Sequence, residues 1–318
     1  MAGREVVPFK CEECGRAFAA TEGVNGVRYL FRWLDTVART ERGRAMITRR
    51  IFTTAALIII GIVGSAHAVP LSGTGFSDFN TGVSVEGQAG WSSDNPAWDE
   101  EVLLVGTNYV WRVSNAVTAG SFGDMPFAPR PGGIPNDTVN DPDNSDPLFF
   151  AGETSTGAAF REFSSEFSFR SVTAAAQPGL RITVSIDNGQ GARQSFVALA
   201  DTGSGIEVTT FDLDKNGEFI GPIVIAEGLS YTEWHTIGME AFFKDGTNND
   251  RVKYFVDGKM VHEGPSWEEF YRNFQSELHP LGVPVQTLLF RLSGDAAPAV
   301  VDNGFHIDNV FTSNSKKQ

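Results

Sequence analysis

Between Tyr231 and Phe274 the pattern of apolar and polar positions switches period, and each switch marks an element. Ile237, Met239, Ala241 and Phe243 alternate with small or polar neighbours, the two-residue period of a half-buried strand. The run Asp245-Gly246-Thr247-Asn248-Asn249-Asp250 is turn chemistry, because Gly and Asn tolerate positive φ and Asp bonds its own backbone. Val252, Tyr254 and Val256 predict a returning strand. Asp257-Gly258 predicts a tight hairpin, and Met260-Val261-His262 begins a third strand. Ser266 with Glu269 reads as a capping box. In the helix it predicts, Trp267, Phe270, Tyr271 and Phe274 share one apolar face suited to lie on a sheet.

The same period-two pattern recurs along the chain. Phe163, Phe167 and Phe169 alternate with Ser164, Glu166, Ser168 and Arg170, and Ile182, Val184 and Ile186 do so against Arg181, Thr183 and Ser185. Phe76 to Val85 predicts the first strand; Tyr109–Val113, Ile206–Leu213, Ile220–Ile225 and Val285–Leu292 predict others. Short strands bounded by Gly, Pro, Asn and Asp, with one short helix, predict an all-β, two-sheet antiparallel jelly-roll sandwich. The segment 120–157 is the longest irregular stretch, and a loop of that length is functional or unstructured.

Particular residues carry a family resemblance. Trp234-His235, Tyr254-Phe255-Val256-Asp257-Gly258-Lys259, Trp267-Glu268-Glu269-Phe270-Tyr271, Gly87-Gln88-Ala89-Gly90-Trp91, Trp111-Arg112-Val113-Ser114-Asn115-Ala116 and Phe305-His306-Ile307-Asp308-Asn309-Val310 resemble secreted bacterial domains of the concanavalin A-like lectin and glucanase superfamily, in a largely uncharacterised branch. The resemblance spans roughly residues 76 to 310 and implies the jelly-roll fold. Its members include lectins, glycosidases, lyases and adhesion modules, so it implies no single activity.

The start of the chain reads differently. Arg49-Arg50 precedes a 13-residue apolar run, Ile51 to Val63, and Ala66-His67-Ala68 supplies the small-x-small pattern of a cleavage site. Residues 46–68 are therefore expected to be a signal peptide and 1–45 an over-extended N-terminus, leaving 69–318 as one exported domain, secreted, periplasmic or on the cell surface. Cys11 and Cys14 give half a zinc site with no matching second pair. Of 25 basic and 39 acidic residues, 10 and 6 fall in 1–68, which leaves 15 and 33 beyond it, a net charge of −18. That balance excludes nucleic acid and anionic lipid as partners and suits a neutral polysaccharide or glycan, or calcium.

Candidate chemistry is sparse. Glycoside hydrolysis needs two carboxyl groups about one bond, and Glu162 and Glu166 are the nearest pair, although Ser164 stands where the resemblance implies Asp. A lyase would need basic and phenolic groups on one face, for which Arg170, Arg181, His235 and Tyr231 are available. Trp91 and Trp98 bound a polar loop and could stack on sugar rings. Calcium is expected between Asp78 and Asp308 near the domain's ends, with Asp141 and Asp143 as the alternative; no organic cofactor is expected. Asp212-Leu213-Asp214-Lys215-Asn216-Gly217 opens like a calcium loop but lacks its distal carboxylate, so Asn216-Gly217 predicts a hairpin turn. These observations favour a non-catalytic carbohydrate-binding module. The alternatives are a polysaccharide-cleaving enzyme, hydrolase or lyase, and a structural surface module.

Overall fold

The computed structural model describes residues 6–10, 17–21, 72–93, 98–118, 126–131, 150–152, 160–277, 279, 282–292 and 294–315. The expected signal segment 46–68, Cys11, Cys14, Asp141 and Asp143 lie outside the described residues. The chain divides into two compact units, Met1–Ile62 and Val63–Gln318. In the first, β1 (Val6–Lys10) pairs antiparallel with β2 (Ala17–Thr21). Among the described residues no helix is long and apolar enough to cross a membrane.

The second unit is a jelly-roll sandwich. Its strands are β3 (Ser72–Thr74), β4 (Glu100–Val105), β5 (Asn108–Val113), β6 (Glu162–Ser171), β7 (Arg181–Asp187), β8 (Arg193–Asp201), β9 (Ile206–Leu213), β10 (Phe219–Leu229), β11 (His235–Phe242), β12 (Arg251–Val256), β13 (Lys259–Pro265), β14 (Thr287–Arg291) and β15 (Phe305–Ser315), with one helix, α1 (Glu268–Phe274). One sheet runs β10-β9-β8-β7-β14; the other runs β13-β12-β11-β6-β15-β5-β4, with β3 beside β15. All named pairings are antiparallel. The resemblance to concanavalin A-like jelly rolls therefore holds at the level of fold.

The alternation read from the sequence is the alternation observed. Phe163, Phe167 and Phe169 of β6 and Ile182, Val184 and Ile186 of β7 are buried together between the sheets, while Glu166 of β6 and Arg181 of β7 face solvent. At the centre, fully buried Trp111 meets Phe290 at 5.0 Å, Trp91 at 5.2 Å and Phe76 at 6.4 Å between ring centroids. Asp257 (φ 51°) and Gly258 (φ 71°) form the turn that joins β12 to β13, and two successive positive φ values match the right-handed twist of a two-residue hairpin.

Three expectations change. The stretch from Phe76 is one 3-10 turn, Phe76–Asp78, and then loop, in which Gly82 takes a positive φ of 74° that a regular strand does not hold. In α1, Trp267 is the N-cap and makes no side-chain cap; the Ser266 hydroxyl accepts from Glu268 N at 3.3 Å, and Glu269 accepts from Asn248 N instead of reaching back. Finally, Trp267 and Tyr271 cover Phe196, Ala198 and Leu213 on the outer face of the five-stranded sheet, but Phe274 is 55% exposed.

Candidate active site

The structure separates most residues that the sequence suggested. Glu162 and Glu166 share the outer face of β6, four residues apart on one strand, as the alternation predicts. Arg170 projects from the outer face of the larger sheet, in register with His306, and Arg181 from that of the smaller, so they share no face. His235 is buried, its Nδ1 2.9 Å from Asp257 and its ring against Phe169. The Tyr231 hydroxyl donates to Asp201 at 2.8 Å.

Trp91 and Trp98 are corrected outright. They are 2% and 6% exposed and belong to the core, Trp91 stacked among Phe76, Trp111 and Phe290. Neither offers a ring face to a sugar. Asp308 does lie near β3, its Oδ1 3.8 Å from where a Cβ on Gly75 would sit, and burial raises its pKa. Asp78 is exposed. Among the described residues no group of three or more His, Cys, Asp or Glu is placed to hold a metal.

What the fold does assemble is a cleft of about 590 Å³ at one end of the sandwich. Its walls are the end of β9 with the turn after it, the β11–β12 loop, the end of β13 and the start of α1. Each wall is pinned by local chemistry. Asp214 Oδ1 accepts from Asn216 N at 2.8 Å and Glu218 N at 2.9 Å, and the bond from Glu218 is the main reason its pKa is lowered. The turn lies directly on the helix: Gly217 has φ 80°, and a Cβ there would meet the Glu269 carbonyl at 2.5 Å. Asp250 Oδ1 holds Lys244 N at 2.8 Å, and Glu269 holds Asn248 N at 2.8 Å. Glu268 pairs with Arg272.

Asp212 is positioned differently. His262 Nε2 lies 3.1 Å from both of its oxygens, so that nitrogen must carry the proton. Gly264 lets the carboxylate approach the backbone of β13, since a Cβ there would lie 2.1 Å from Asp212 Oδ1. Behind it His262 packs on Tyr254 at 5.6 Å, whose hydroxyl bonds Ser195 and whose pKa is pushed by burial up to about 12. Asp212 therefore stands on a fixed support and faces an open cleft. Glu263, next to His262, is exposed and lines the same cleft. Asp212, Asp214, Asp250, Glu263, Glu268 and Glu269 against Lys215 and Arg251 make the cleft strongly acidic. The expected Asn216-Gly217 turn is one of its walls; the Asp212–His262 pair joins residues 50 positions apart and has no signal in sequence.

A second polar cluster lies beneath α1. Asp187 is fully buried; its Oδ1 accepts from Gly189 N at 2.8 Å and Gly191 N at 2.9 Å, which shapes the β7–β8 turn. Desolvation pushes its pKa up to about 7 against the opposing bonds from Gly191 and Gly189 and the charges of Arg291 and Arg193. Tyr271 also faces it and titrates far higher. A raised carboxyl pKa favours folding below the ordinary value near 3.8, and that contribution is lost as pH rises through about 7. Asp187→Asn keeps the accepting oxygen and cannot ionise. Chemical melts at pH 4 and pH 8 should show the variant gaining on wild type as pH rises, by about 1.4 kcal/mol per pH unit until Asp187 ionises in the folded protein. A pH-independent difference would contradict this.

No protein-family profile and no curated protein matches the chain. Solved structures do. An alginate lyase mutant in complex with alginate tetrasaccharide aligns with TM-score 0.45 at 9% identity, covering 78% of this chain and 97% of that one. An alginate lyase from Pseudomonas aeruginosa aligns with TM-score 0.39 at 10% identity, covering 67% and 86%. A transglycosylase in complex with NAG gives 0.36 at 10%, covering 79% and 89%. Most of the similar structures named are polysaccharide lyases, which tells against the expectation of a non-catalytic binding module; at such identities the likeness itself is one of fold.

Proposed function

We propose that this protein is a polysaccharide-cleaving enzyme that hydrolyses a neutral glycan in the Asp212 cleft. The supporting observation is Asp212 itself, a carboxylate held by His262 on the wall of an open cleft of about 590 Å³. His262 Nε2, within 3.1 Å of both oxygens, orients the Asp212 carboxyl toward the cleft to act as nucleophile or as base toward water. Glu263 lines the same cleft and is the carboxyl proposed to protonate the leaving oxygen. Asp214, Asp250, Glu268 and Glu269 are tied to backbone or to Arg272 and shape the cleft.

Charge decides between the two forms of cleavage. Elimination from a uronate needs cations to neutralise the sugar's carboxylate, and here six carboxylates face two cations. Arg251 already donates to the Asp250 carbonyl at 2.7 Å. At an effective dielectric of about 20, a uronate about 4 Å from one uncompensated carboxylate would be repelled by roughly 4 kcal/mol. Incubation with xylan, mixed-linkage β-glucan and alginate tests the proposal. New reducing ends from a neutral polymer are expected; an unsaturated uronate from alginate would refute hydrolysis, and no turnover of any polymer would refute the proposal.

A further inference from the structure

The cleft's wall continues into something the catalytic reading does not use. Trp267, Phe219, Phe270 and Phe274 form an unbroken ladder of rings, with successive centroids 4.6, 5.0 and 5.7 Å apart. Its inner end is buried: Trp267 packs on Phe196 at 5.4 Å and its Nε1 donates to the Phe211 carbonyl. Its outer end is open, with Phe219 44% and Phe274 55% exposed. A lone exposed aromatic needs no explanation, but contiguous rings on a soluble surface mark a contact site.

Where the ladder lies tells what it meets. The turn Asp214–Gly217 has the cleft on one side, where Asp214 and Lys215 line it, and leads directly into Phe219. The same turn rests on the Glu269 carbonyl and Phe270 N through Gly217. Glu269 lines the cleft, and Phe274 follows five residues later, about 7 to 8 Å along the helix axis. The rings therefore adjoin the turn that forms one wall of the cleft. Beside them Asn273 Nδ2 donates to the Asn216 carbonyl at 2.9 Å, and Lys215, Asn216 and Glu218 are exposed. Flat apolar faces rimmed by hydrogen-bonding groups match a pyranose, which offers C–H on its faces and hydroxyls on its edge. The neighbouring Asp214 and Glu269 disfavour an acidic polymer.

We propose that Phe219, Phe270 and Phe274 are a stacking subsite that holds a neutral glycan chain as it enters or leaves the Asp212 cleft. This rests on the cleavage proposed above but is separable from it, because holding a chain and cutting it have different readouts. The test is affinity electrophoresis of the full chain in gels containing xylan, mixed-linkage β-glucan or galactomannan, with reducing-end release measured in parallel. Phe274→Ala should weaken retention about ten-fold, or about 1.4 kcal/mol. Phe274→Trp should restore it. Val224→Ala, which removes an exposed apolar group of β10 outside the ladder, should retain wild-type binding.

Retention without cleavage would end the hydrolase reading and leave the subsite standing. Cleavage with retention unaffected by Phe274→Ala would do the reverse. No retention of wild type by any of the three polymers would overturn the subsite. So would sedimentation of wild type as a dimer and of Phe274→Ala as a monomer, since the ladder would then be a self-association face.

Discussion

Trp111→Ala should leave little folded protein at physiological temperature. Trp111 is fully buried where both sheets meet, in contact with Trp91, Phe290 and Phe76. Removing a ring of that size from a close-packed core costs about 3 to 5 kcal/mol. The indole also donates from Nε1 to Glu100 Oε2 at 2.7 Å. Glu100 is buried, and desolvation already raises its pKa against the bonds from Ser84, Trp111 and Val85. Losing one of those donors adds about 1 to 3 kcal/mol. Domains have only about 5 to 15 kcal/mol in total, and for one of this size each kcal/mol moves the midpoint roughly 2 to 4 °C. Trp111→Phe restores most of the ring and should recover much of the loss. A Trp111→Ala protein that melts like wild type would mean the core is not centred here.

Gly304→Ala should open the seam between β5 and β15. Gly304 has φ 95°, and a Cβ would lie 2.1 Å from the Val113 carbonyl oxygen and 2.6 Å from Ser114 Cβ. Its N–H donates to Gln177 Oε1 at 2.6 Å, and its carbonyl accepts from Val172 N at 3.0 Å and Gln177 Nε2 at 2.9 Å. The backbone therefore cannot shift to relieve the clash without breaking three hydrogen bonds. Backbone strain and overpacking each cost about 1 to 3 kcal/mol. Gly258→Ala is the matched control: φ is 71° but nothing lies within 4 Å of the added Cβ, so only the strain applies. Urea melts should rank Gly304→Ala well below Gly258→Ala, with amide exchange near Phe305 accelerated. Equal midpoints would contradict the close approach.

The sandwich is legible in the sequence where one side of a strand is buried and the other is wet. In β6, β7, β11 and β12 the two-residue period is imposed by that asymmetry, and Asp257-Gly258 is legible because few other pairs take two positive φ values cheaply. Trp91 and Trp98 mislead because Ser, Asp, Asn and Pro surround them in sequence; both rings nevertheless turn into the core, and adjacency along the chain says nothing of that. Phe274 misleads for the opposite reason. A helical period assigns it to the face of Trp267 and Tyr271, yet one short helix covers only part of the sheet, and its last turn overhangs. The site is the least legible part. Asp212 and His262 meet across two sheets, and Gly264 matters only because a carboxylate comes against it.

The most direct test of the account is reducing-end release from the neutral polymer that wild type cleaves, measured for Asp212→Asn beside a thermal melt. Loss of the nucleophile or base should lower kcat by about 10² to 10⁴, with the folded state kept because the amide still accepts from His262. Undiminished turnover by a folded Asp212→Asn would show that the cleft is not where the bond is broken.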